Sequence, residues 1–350
     1  MSLGLDFEFW ATMAKLGVWM VLVLQVTPIM VWVERRGSAL IQDRLGPNRV
    51  GPLGLFQSLA DALKFLLKED VTPLEADKFL HRLAPMLALV PAMTTFLVIP
   101  LGPEIEVDGR RISLMVVNAD TGVLLLLALA SLGVYSLVIA GYSSNNKYSL
   151  MGSIRATAQM ISYELALTLA VVAVLMPVGS FRLDEVVLYQ QGTWLGFLPG
   201  WNVFPQFIGF AVFLIASFAE TNRLPFDLPE AESELVGGYH TEYSSMKFAL
   251  FFMGEYMSMA TLSALAATLF LGGWHFPGLD YSGWWLWAAL QGIAVLMAKT
   301  TAFLLLFVWV RWTFPRFRFD QLLRLGWKVL LPLAVVNLVL VAALTVGGWL

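Results

Sequence analysis

The feature that most constrains this 350-residue chain is the separation of its charged residues from long uncharged segments. A helix of about 20 residues crosses the hydrocarbon core of a bilayer. Hydrophobic residues make up 58% of the chain and charged residues 13%, whereas soluble domains have about 45–50% and about 25%. The sequence therefore predicts an integral membrane protein, with uncharged runs at 16–33, 83–103, 121–146, 186–219, 256–279, 281–298 and 329–350.

These runs predict an all-α, polytopic fold that forms one membrane domain over residues 1–350. Eight transmembrane helices are expected when Glu164, Glu255 and Lys299 are allowed to interrupt three of them. The first apolar run follows no basic leader and shows no small-residue cleavage pattern, so we expect it to remain as a span. The expected helix centres are Trp19, Val90, Leu132, Leu167, Phe210, Ala260, Val295 and Val336.

The basic residues predict the orientation. An even number of spans places both termini on one side and sorts the connections into two sets, of which one contains 17 of the 22 Lys and Arg residues. Short loops rich in Lys and Arg lie in the cytoplasm. We therefore expect the termini on the periplasmic or equivalent outer side, and cytoplasmic loops at 34–82, 141–155, 220–247 and 311–328.

One segment is amphipathic and too polar to span. In residues 53–68, six apolar side chains fall on one helical face, and Gln57, Asp61, Lys64 and Lys68 fall on the other. This pattern predicts a helix that lies in the membrane interface. It suits either a surface anchor or a lid over a lateral opening between spans.

The predicted cytoplasmic loop 220–247 is unusually acidic. It contains Glu220, Asp227, Glu230, Glu232, Glu234 and Glu242, with only Arg223 and Lys247 of opposite charge. A solvated loop is one interpretation, but interleaved apolar residues and two prolines favour a packed segment. Crowded carboxylates raise one another's pKa toward neutrality, so such a segment can bind and release protons.

Two carboxylates lie inside predicted spans. Glu164 and Glu255 lie eight or nine residues from the cytoplasmic anchors Arg155 and Lys247, which is about 12–13 Å at 1.5 Å per residue. A carboxylate at the bilayer centre costs at least about 2.5–3.5 kcal/mol, so it faces the bundle interior and marks a functional candidate. The alternative is an ion pair with Lys299 that holds helices together; such a pair can also relay protons.

The sequence lacks the residues that several other kinds of functional site require. The chain has no Cys and so cannot ligate an iron–sulfur cluster through thiolates. It has no phosphate-binding loop, and its three His residues are dispersed. The net charge of −3 gives no reason to expect nucleic acid. Any redox centre is therefore expected in another chain.

The cytoplasmic segments resemble one family over nearly the whole chain. The matching residues include Glu34-Arg35-Arg36, the run from Arg44 to Pro52, and Pro315-Arg316-Phe317-Arg318, together with segments 60–64, 155–164 and 220–256. In order and spacing they resemble the H-type membrane subunit of bacterial NADH:quinone oxidoreductase, respiratory complex I, and its mitochondrial counterpart, NADH dehydrogenase subunit 1. Departures are small: Ser58 stands where the family commonly has Pro, and Ser245 where it usually has Gly.

The resemblance implies a subunit of the bacterial inner membrane with no cofactor of its own. Quinone is the substrate, and FMN and iron–sulfur clusters belong to partner subunits. The implied partners are the peripheral-arm subunits of the quinone site, antiporter-like membrane subunits and membrane lipid. The chain would form the quinone-access chamber and couple quinone reduction to proton pumping. A membrane-bound hydrogenase or another complex-I-like enzyme is an alternative, and a free-standing proton-coupled transporter is a further one.

The resemblance also assigns residues by position. The chamber residues would be Glu34, Arg35, Arg36, Asp61, Arg155, Phe226 and Arg311. The proton path would contain Glu164, Glu220, Arg223, Asp227, Glu230, Glu232, Glu234, Glu242 and Glu255, and we add Lys299 as the intramembrane cation. No catalytic residue and no metal ligand is expected.

Overall fold

A computed structural model describes residues 2–107, 109–194, 198–228, 235–281 and 283–349. Its helices are α1 (Ser2–Ile41), α2 (Gln57–Leu67), α3 (Lys78–Thr95), α4 (Gly122–Ser143), α5 (Lys147–Val178), α6 (Leu183–Tyr189), α7 (Phe207–Glu220), α8 (Ser245–Phe270), α9 (Trp285–Thr313), α10 (Phe319–Leu325) and α11 (Leu331–Val346). A π-helical turn, Gly326–Leu330, joins α10 to α11. Two short antiparallel hairpins pair β1 (Ile105–Val107) with β2 (Arg110–Ile112), and β3 (Thr193–Trp194) with β4 (Leu198–Pro199).

The predicted all-α polytopic fold is confirmed. Seven helices in the described part of the chain are long and apolar enough to cross a membrane. The fifth predicted span is different, because α7 has only 14 residues, or about 21 Å at 1.5 Å per residue. This length is shorter than the hydrocarbon core of about 30 Å. A helix of this length does not cross the core by itself.

Local sequence explains where the central helices begin and how closely they pack. Asp77 caps α3 by accepting hydrogen bonds from the backbone N–H groups of Phe79 and Leu80. Asn146 caps α5 in the same way through Tyr148 N–H. Small buried residues along α5 let α4, α7 and α11 approach it closely, and Gly152 lets the backbone at Gly238 approach. On the other side of the bundle, α8 packs against α3 and α9.

The loops rich in Lys and Arg meet at one end of the bundle. Residues 70 and 247 form an ion pair, Lys247 Nζ to Asp70 Oδ2, at 2.9 Å. Asn146 Nδ2 donates to Glu242 at 2.6 Å, and Arg316 Nη2 donates to Asp227 at 3.1 Å. At the opposite end, Lys15 Nζ donates to Ser113 O. These contacts connect the segments 34–82, 141–155, 220–247 and 311–328 to one another.

The amphipathic helix of the sequence is α2, preceded by a 3-10 turn at Pro52–Gly54. Its apolar side chains Leu59, Leu63 and Leu66 are more than half exposed, as expected for a helix at a membrane surface. Ser58 and Asp61 face the protein: the Ser58 hydroxyl donates to Pro28 O, and Asp61 forms an ion pair with Arg35 of α1. The helix therefore covers one side of α1.

Candidate functional site

Helices α1, α2 and α8 enclose a cavity of about 550 Å³. Most of its wall is apolar, and its charged and aromatic hydroxyl groups are concentrated on one part of the wall. The apolar wall includes Leu24, Val31, Leu59, Phe65, Phe248, Phe252 and Met253; the polar wall includes Glu34, Arg35, Asp61, Tyr256 and Arg311. An apolar cavity with a few convergent polar groups suits an amphipathic ligand with a hydrophobic tail and a polar head.

Glu34 is the centre of the polar wall and is 7% exposed. One carboxylate oxygen accepts a hydrogen bond from Arg311, and the other accepts one from the Tyr256 hydroxyl at 2.6 Å. Arg223 Nη1 lies 3.5 Å from that second oxygen. A buried charge is tolerated when it is both paired and hydrogen-bonded, and Glu34 has both kinds of partner.

Tyr256 connects the cavity to the interior of the bundle. Its hydroxyl lies on Glu34, and its ring lies under the Arg223 guanidinium, whose central carbon is 4.3 Å from the ring centroid. This distance fits a cation–π contact. Tyr256 lies at the end of the segment 220–256 that carries the family resemblance, and the sequence alone assigns it no role. The available signal was that Tyr256 directly follows the intramembrane Glu255.

Arg223 also contacts the intramembrane carboxylate Glu255. Its side chain is 5% exposed, and its Nη2 atom lies 3.6 Å from Glu255 Oε2. The Tyr239 hydroxyl donates to the other oxygen of Glu255 at 3.0 Å. A single guanidinium thus lies between the cavity carboxylate Glu34 and the intramembrane carboxylate Glu255.

Beyond Glu255, two small cavities of about 50 Å³ each lie beside Glu220. The first also has Glu255 and Tyr239 in its wall, and the second extends to Thr95 and Leu126. Each is large enough for water, which needs about 10–15 Å³ measured in this way. The side chain of Glu220 is therefore accessible from both cavities.

Glu164 lies near Glu220, on the side away from the large cavity. It accepts a hydrogen bond from Ser131 of α4, and its charge acts on Glu220. We name the series Glu34, Arg223, Glu255, Glu220 and Glu164 the carboxylate chain. It runs from the polar wall of the large cavity into the membrane-embedded bundle.

Asp227 lies in the loop that follows α7. Burial raises its pKa to about 6, against the opposing effect of Arg316, which donates to Asp227 Oδ2 at 3.1 Å. The carboxyl group is therefore protonated below about pH 6 and charged above it. Because the folded pKa exceeds the ordinary value, Asp227 contributes stability at acid pH that is lost as the pH rises through about 6.

This titration gives a pH-dependent prediction. Between pH 5 and pH 7, infrared difference spectra of the protein are expected to lose the C=O stretching band of one protonated carboxyl group, with a midpoint near pH 6. Asp227→Asn removes that band, and Glu104→Gln, at an exposed carboxylate on the opposite side of the bundle, leaves it in place. A band that persists in Asp227→Asn would assign the titration to another group.

The remaining predicted path residues have separate places. Glu242 accepts from Asn146 Nδ2 at the start of α5, at the end of the bundle where the basic loops meet. Glu230, Glu232 and Glu234 lie outside the described residues. The structure therefore brings Glu164, Glu220, Arg223 and Glu255 together, and it places Asp227 in the loop beside Arg316.

Four of the predicted chamber residues, Glu34, Arg35, Asp61 and Arg311, line the cavity, and three do not. The Arg36 guanidinium lies over the Trp32 ring at 5.6 Å, and Arg155 lies over Phe319 at 5.8 Å. Phe226 is buried between the rings of Tyr163 and Phe317, at 5.5 Å from each. These three side chains therefore do not line the cavity that the described residues enclose, and their assignment to the chamber stays a prediction.

The alternative interpretation, an ion pair of Lys299 with Glu164 or Glu255, is not found among the residues that the structure describes. The Lys299 ammonium donates to the backbone carbonyls of Leu271, Gly273 and His275 at 2.6, 2.8 and 2.7 Å. It also lies 5.1 Å from the Trp201 ring centroid. An ammonium has three donors, and all three are used here. These contacts fasten the loop after α8 to α9 and give no support for a place on the proton path.

Lys299→Met is therefore expected to weaken the fold and leave the chemistry intact. It orphans three carbonyls, each at a cost of about 1–3 kcal/mol when buried. The melting temperature of the assembled protein should fall by several degrees, while turnover per assembled molecule stays within twofold of the parent. An unchanged melting temperature with lost turnover would contradict this structural role and would support a role of Lys299 in proton transfer.

Comparison with known proteins identifies the family of the chain. Residues 14–342 match the family model described as NADH dehydrogenase. The chain belongs to this family. It is 48% identical to an H-type NADH-quinone oxidoreductase subunit of Geobacter metallireducens over 97% of this chain and 95% of that protein. It is 46% identical to the corresponding protein of Bdellovibrio bacteriovorus over 98% of each chain, and 47% identical to NADH-quinone oxidoreductase subunit 8 of Rhodothermus marinus over 91% and 93%.

Proposed function

We propose that this multi-pass membrane protein is the NADH:quinone oxidoreductase subunit that holds the access cavity for quinone and couples quinone reduction to proton movement. The observation that carries the proposal is the contact between cavity and bundle: Glu34 lies in the cavity wall and shares Arg223 with the intramembrane Glu255. The similarity to curated subunits of NADH-quinone oxidoreductases supports the reaction class.

The cavity fits a quinone by its chemistry. Phe65, Phe248 and Phe252 present aromatic and apolar surface to an isoprenoid tail, and Arg35 and Arg311 present cations to a polar head. Subunits of the peripheral arm would supply the electrons from FMN and iron–sulfur clusters, and antiporter-like subunits would receive the coupling. The loops rich in Lys and Arg would face the cytoplasm, which leaves both termini periplasmic.

The contacts suggest how coupling proceeds. Quinone reduction takes up two electrons and two protons, and negative charge in a cavity of low dielectric raises the proton affinity of nearby carboxylates. Arg311 and Arg223 both form ion pairs with Glu34, and Arg223 also pairs with Glu255. If either guanidinium moves toward a negatively charged quinone, its carboxylate partners lose part of their neutralising charge, and their proton affinity rises. Moving one charge against 100 mV requires about 2.3 kcal/mol, which corresponds to a pKa change of about one to two units.

A cysteine introduced into the cavity wall tests the proposal. The chain has no Cys, so Ala249→Cys in α8 places a unique thiol in the wall. Modification with a bulky maleimide is expected to remove most NADH:quinone reductase activity of the assembled complex, and excess quinone should slow the modification. Leu290→Cys, on an exposed position of α9, is the matched control and should keep its activity. Full activity after complete labelling at position 249 would refute a quinone path through this cavity.

A further inference from the structure

The amphipathic helix α2 is held in place by polar contacts. None of its residues is buried, and Leu59, Leu63 and Leu66 are 61%, 53% and 61% exposed. Burial of apolar side chains is the usual source of helix stability in a fold, and α2 has little of it. Within this chain, the contacts that hold α2 are therefore mainly hydrogen bonds and ion pairs, together with the packing of Phe65 on Phe248.

At the C-terminal end, the start of α8 binds the chain that leaves α2. The Ser245 hydroxyl lies 2.8 Å from Phe65 O and 2.9 Å from Lys68 O. Val71 N–H donates to Ser244 Oγ at 3.0 Å, and Lys247 Nζ lies 2.9 Å from both Asp70 Oδ2 and Thr72 Oγ1. The last carbonyls of a helix have no partner within it, and the Ser245 hydroxyl supplies one for Phe65.

Ser245 makes this contact from an unfavourable backbone conformation. Its φ is +54°, in the left-handed region that favours glycine. Glycine would relieve the strain, but it has no hydroxyl to reach α2. The serine therefore combines a backbone cost with a hydrogen bond between two elements that are 177 to 180 residues apart in sequence.

At the N-terminal end, a second serine makes the equivalent contact with α1. The Ser58 hydroxyl donates to Pro28 O at 2.7 Å. One turn further along α2, Asp61 forms an ion pair with Arg35. Ser58 and Ser245 thus join the two ends of α2 to α1 and α8, the other two helices of the large cavity.

We propose that Ser58 and Ser245 are positioning residues that fix α2 as one wall of the cavity and thereby set which hydrophobic tails the cavity accepts. The second part rests on the proposed function; the first part does not. Neither residue need touch the reacting head of a quinone. The two serines set the distance between α2 and the aromatic residues of α8 that line the cavity. At this point, the ring centroids of Phe65 and Phe248 are 6.1 Å apart.

The test uses the intact complex in its membrane and the variants Ser58→Ala, Ser245→Ala, Ser245→Gly and Ser58→Ala/Ser245→Ala. Ser263→Ala is the matched control, because the Ser263 hydroxyl bonds to Met259 O within α8 and does not reach α2. Two quantities are measured: hydrogen–deuterium exchange of the amides of residues 57–67, and KM and kcat for quinones with a short or a long isoprenoid tail.

We expect exchange in α2 to rise about tenfold in the double variant and the KM for the long-tailed quinone to rise about fivefold, the scale of one or two lost hydrogen bonds. The kcat and the KM for the short-tailed quinone should change less than twofold. Ser245→Gly should resemble Ser245→Ala, because both lack the hydroxyl. Ser263→Ala should match the parent in both measurements.

Unchanged exchange in the double variant would overturn the proposal, and so would parental behaviour of Ser245→Gly, since the hydroxyl would then be dispensable. Faster exchange with both KM values unchanged would overturn the part that concerns the tail. If cysteine labelling at position 249 also leaves quinone reduction intact, the proposed function fails while the fastening of α2 by the two serines stands.

Discussion

Glu34→Gln is expected to reduce NADH:quinone reductase turnover of the assembled complex by well over tenfold. Glutamine keeps the shape and accepts a hydrogen bond, but it cannot neutralise the two guanidiniums, Arg311 and Arg223, that lie on Glu34. Removing one member of a buried ion pair costs about 3–5 kcal/mol, because the remaining charge is left uncompensated. Both cations then repel each other across the polar wall, and the contact with Glu255 is altered.

The measurement is quinone reduction normalised to assembled complex, with Glu104→Gln as the control at an exposed carboxylate. Asp61→Asn should give an intermediate loss, because its partner Arg35 is 45% exposed and solvent screens that pair. Parental turnover in Glu34→Gln would show that the polar wall of the cavity has no part in the reaction.

Arg223→Ala is expected to have a comparably large effect. This guanidinium separates Glu34 from Glu255 and lies on the ring of Tyr256. Without this guanidinium, the buried carboxylates of Glu34 and Glu255 lose a neighbouring positive charge. Their pKa values rise, and they take up protons. We expect turnover and proton translocation to fall together by more than tenfold, because the charge balance that connects the cavity to the bundle is lost.

Arg182→Ala is the matched control for this variant. Arg182 also forms an ion pair, with Asp184 at 2.6 Å, but near the start of α6 and away from the cavity. Partly exposed pairs of this kind contribute about 0–1 kcal/mol. Small and equal effects of the two arginine substitutions would contradict the role of Arg223. Arg223→Lys should restore little, because an ammonium cannot reproduce the planar guanidinium that contacts two carboxylates and a ring.

Much of the fold could be predicted because membrane insertion imposes simple patterns on a sequence. The uncharged runs locate the long helices, and the distribution of Lys and Arg sorts the loops that meet at one end. The run at 186–219 shows the limit of this reasoning. It contains most of α6, a hairpin and the short α7, and hydropathy alone does not distinguish a span from apolar chain folded within the protein.

The candidate site was predictable where charge determines position. The cost of an intramembrane carboxylate singles out Glu164 and Glu255. The family resemblance, and not charge alone, assigned Glu34, Arg35, Asp61 and Arg311 to the chamber. Contacts to the backbone could not be predicted. Charge suggested a carboxylate partner for Lys299, but its partners are carbonyls of a loop that turns through Gly272 and Gly273 at positive φ.

The hydrogen bonds of the hydroxyl groups could not be predicted from the sequence either. Tyr256, Ser131 and Ser245 are ordinary residues for an apolar helix or its start, and nothing in their spacing names a partner. Each partner lies on a distant element: Glu34 of α1, Glu164 of α5, and Phe65 of α2. Such pairs arise only when the helices are packed, so their prediction requires the tertiary structure.

The central claim is that quinone passes through the cavity between α1, α2 and α8 to reach the Glu34 end of the carboxylate chain. A structure of the assembled complex with bound quinone tests it most directly. The predicted result is an isoprenoid tail in van der Waals contact with Phe65, Phe248 and Phe252, with the head directed past Arg311 and Glu34. A quinone bound elsewhere, with this cavity filled by a partner's side chains, would contradict it.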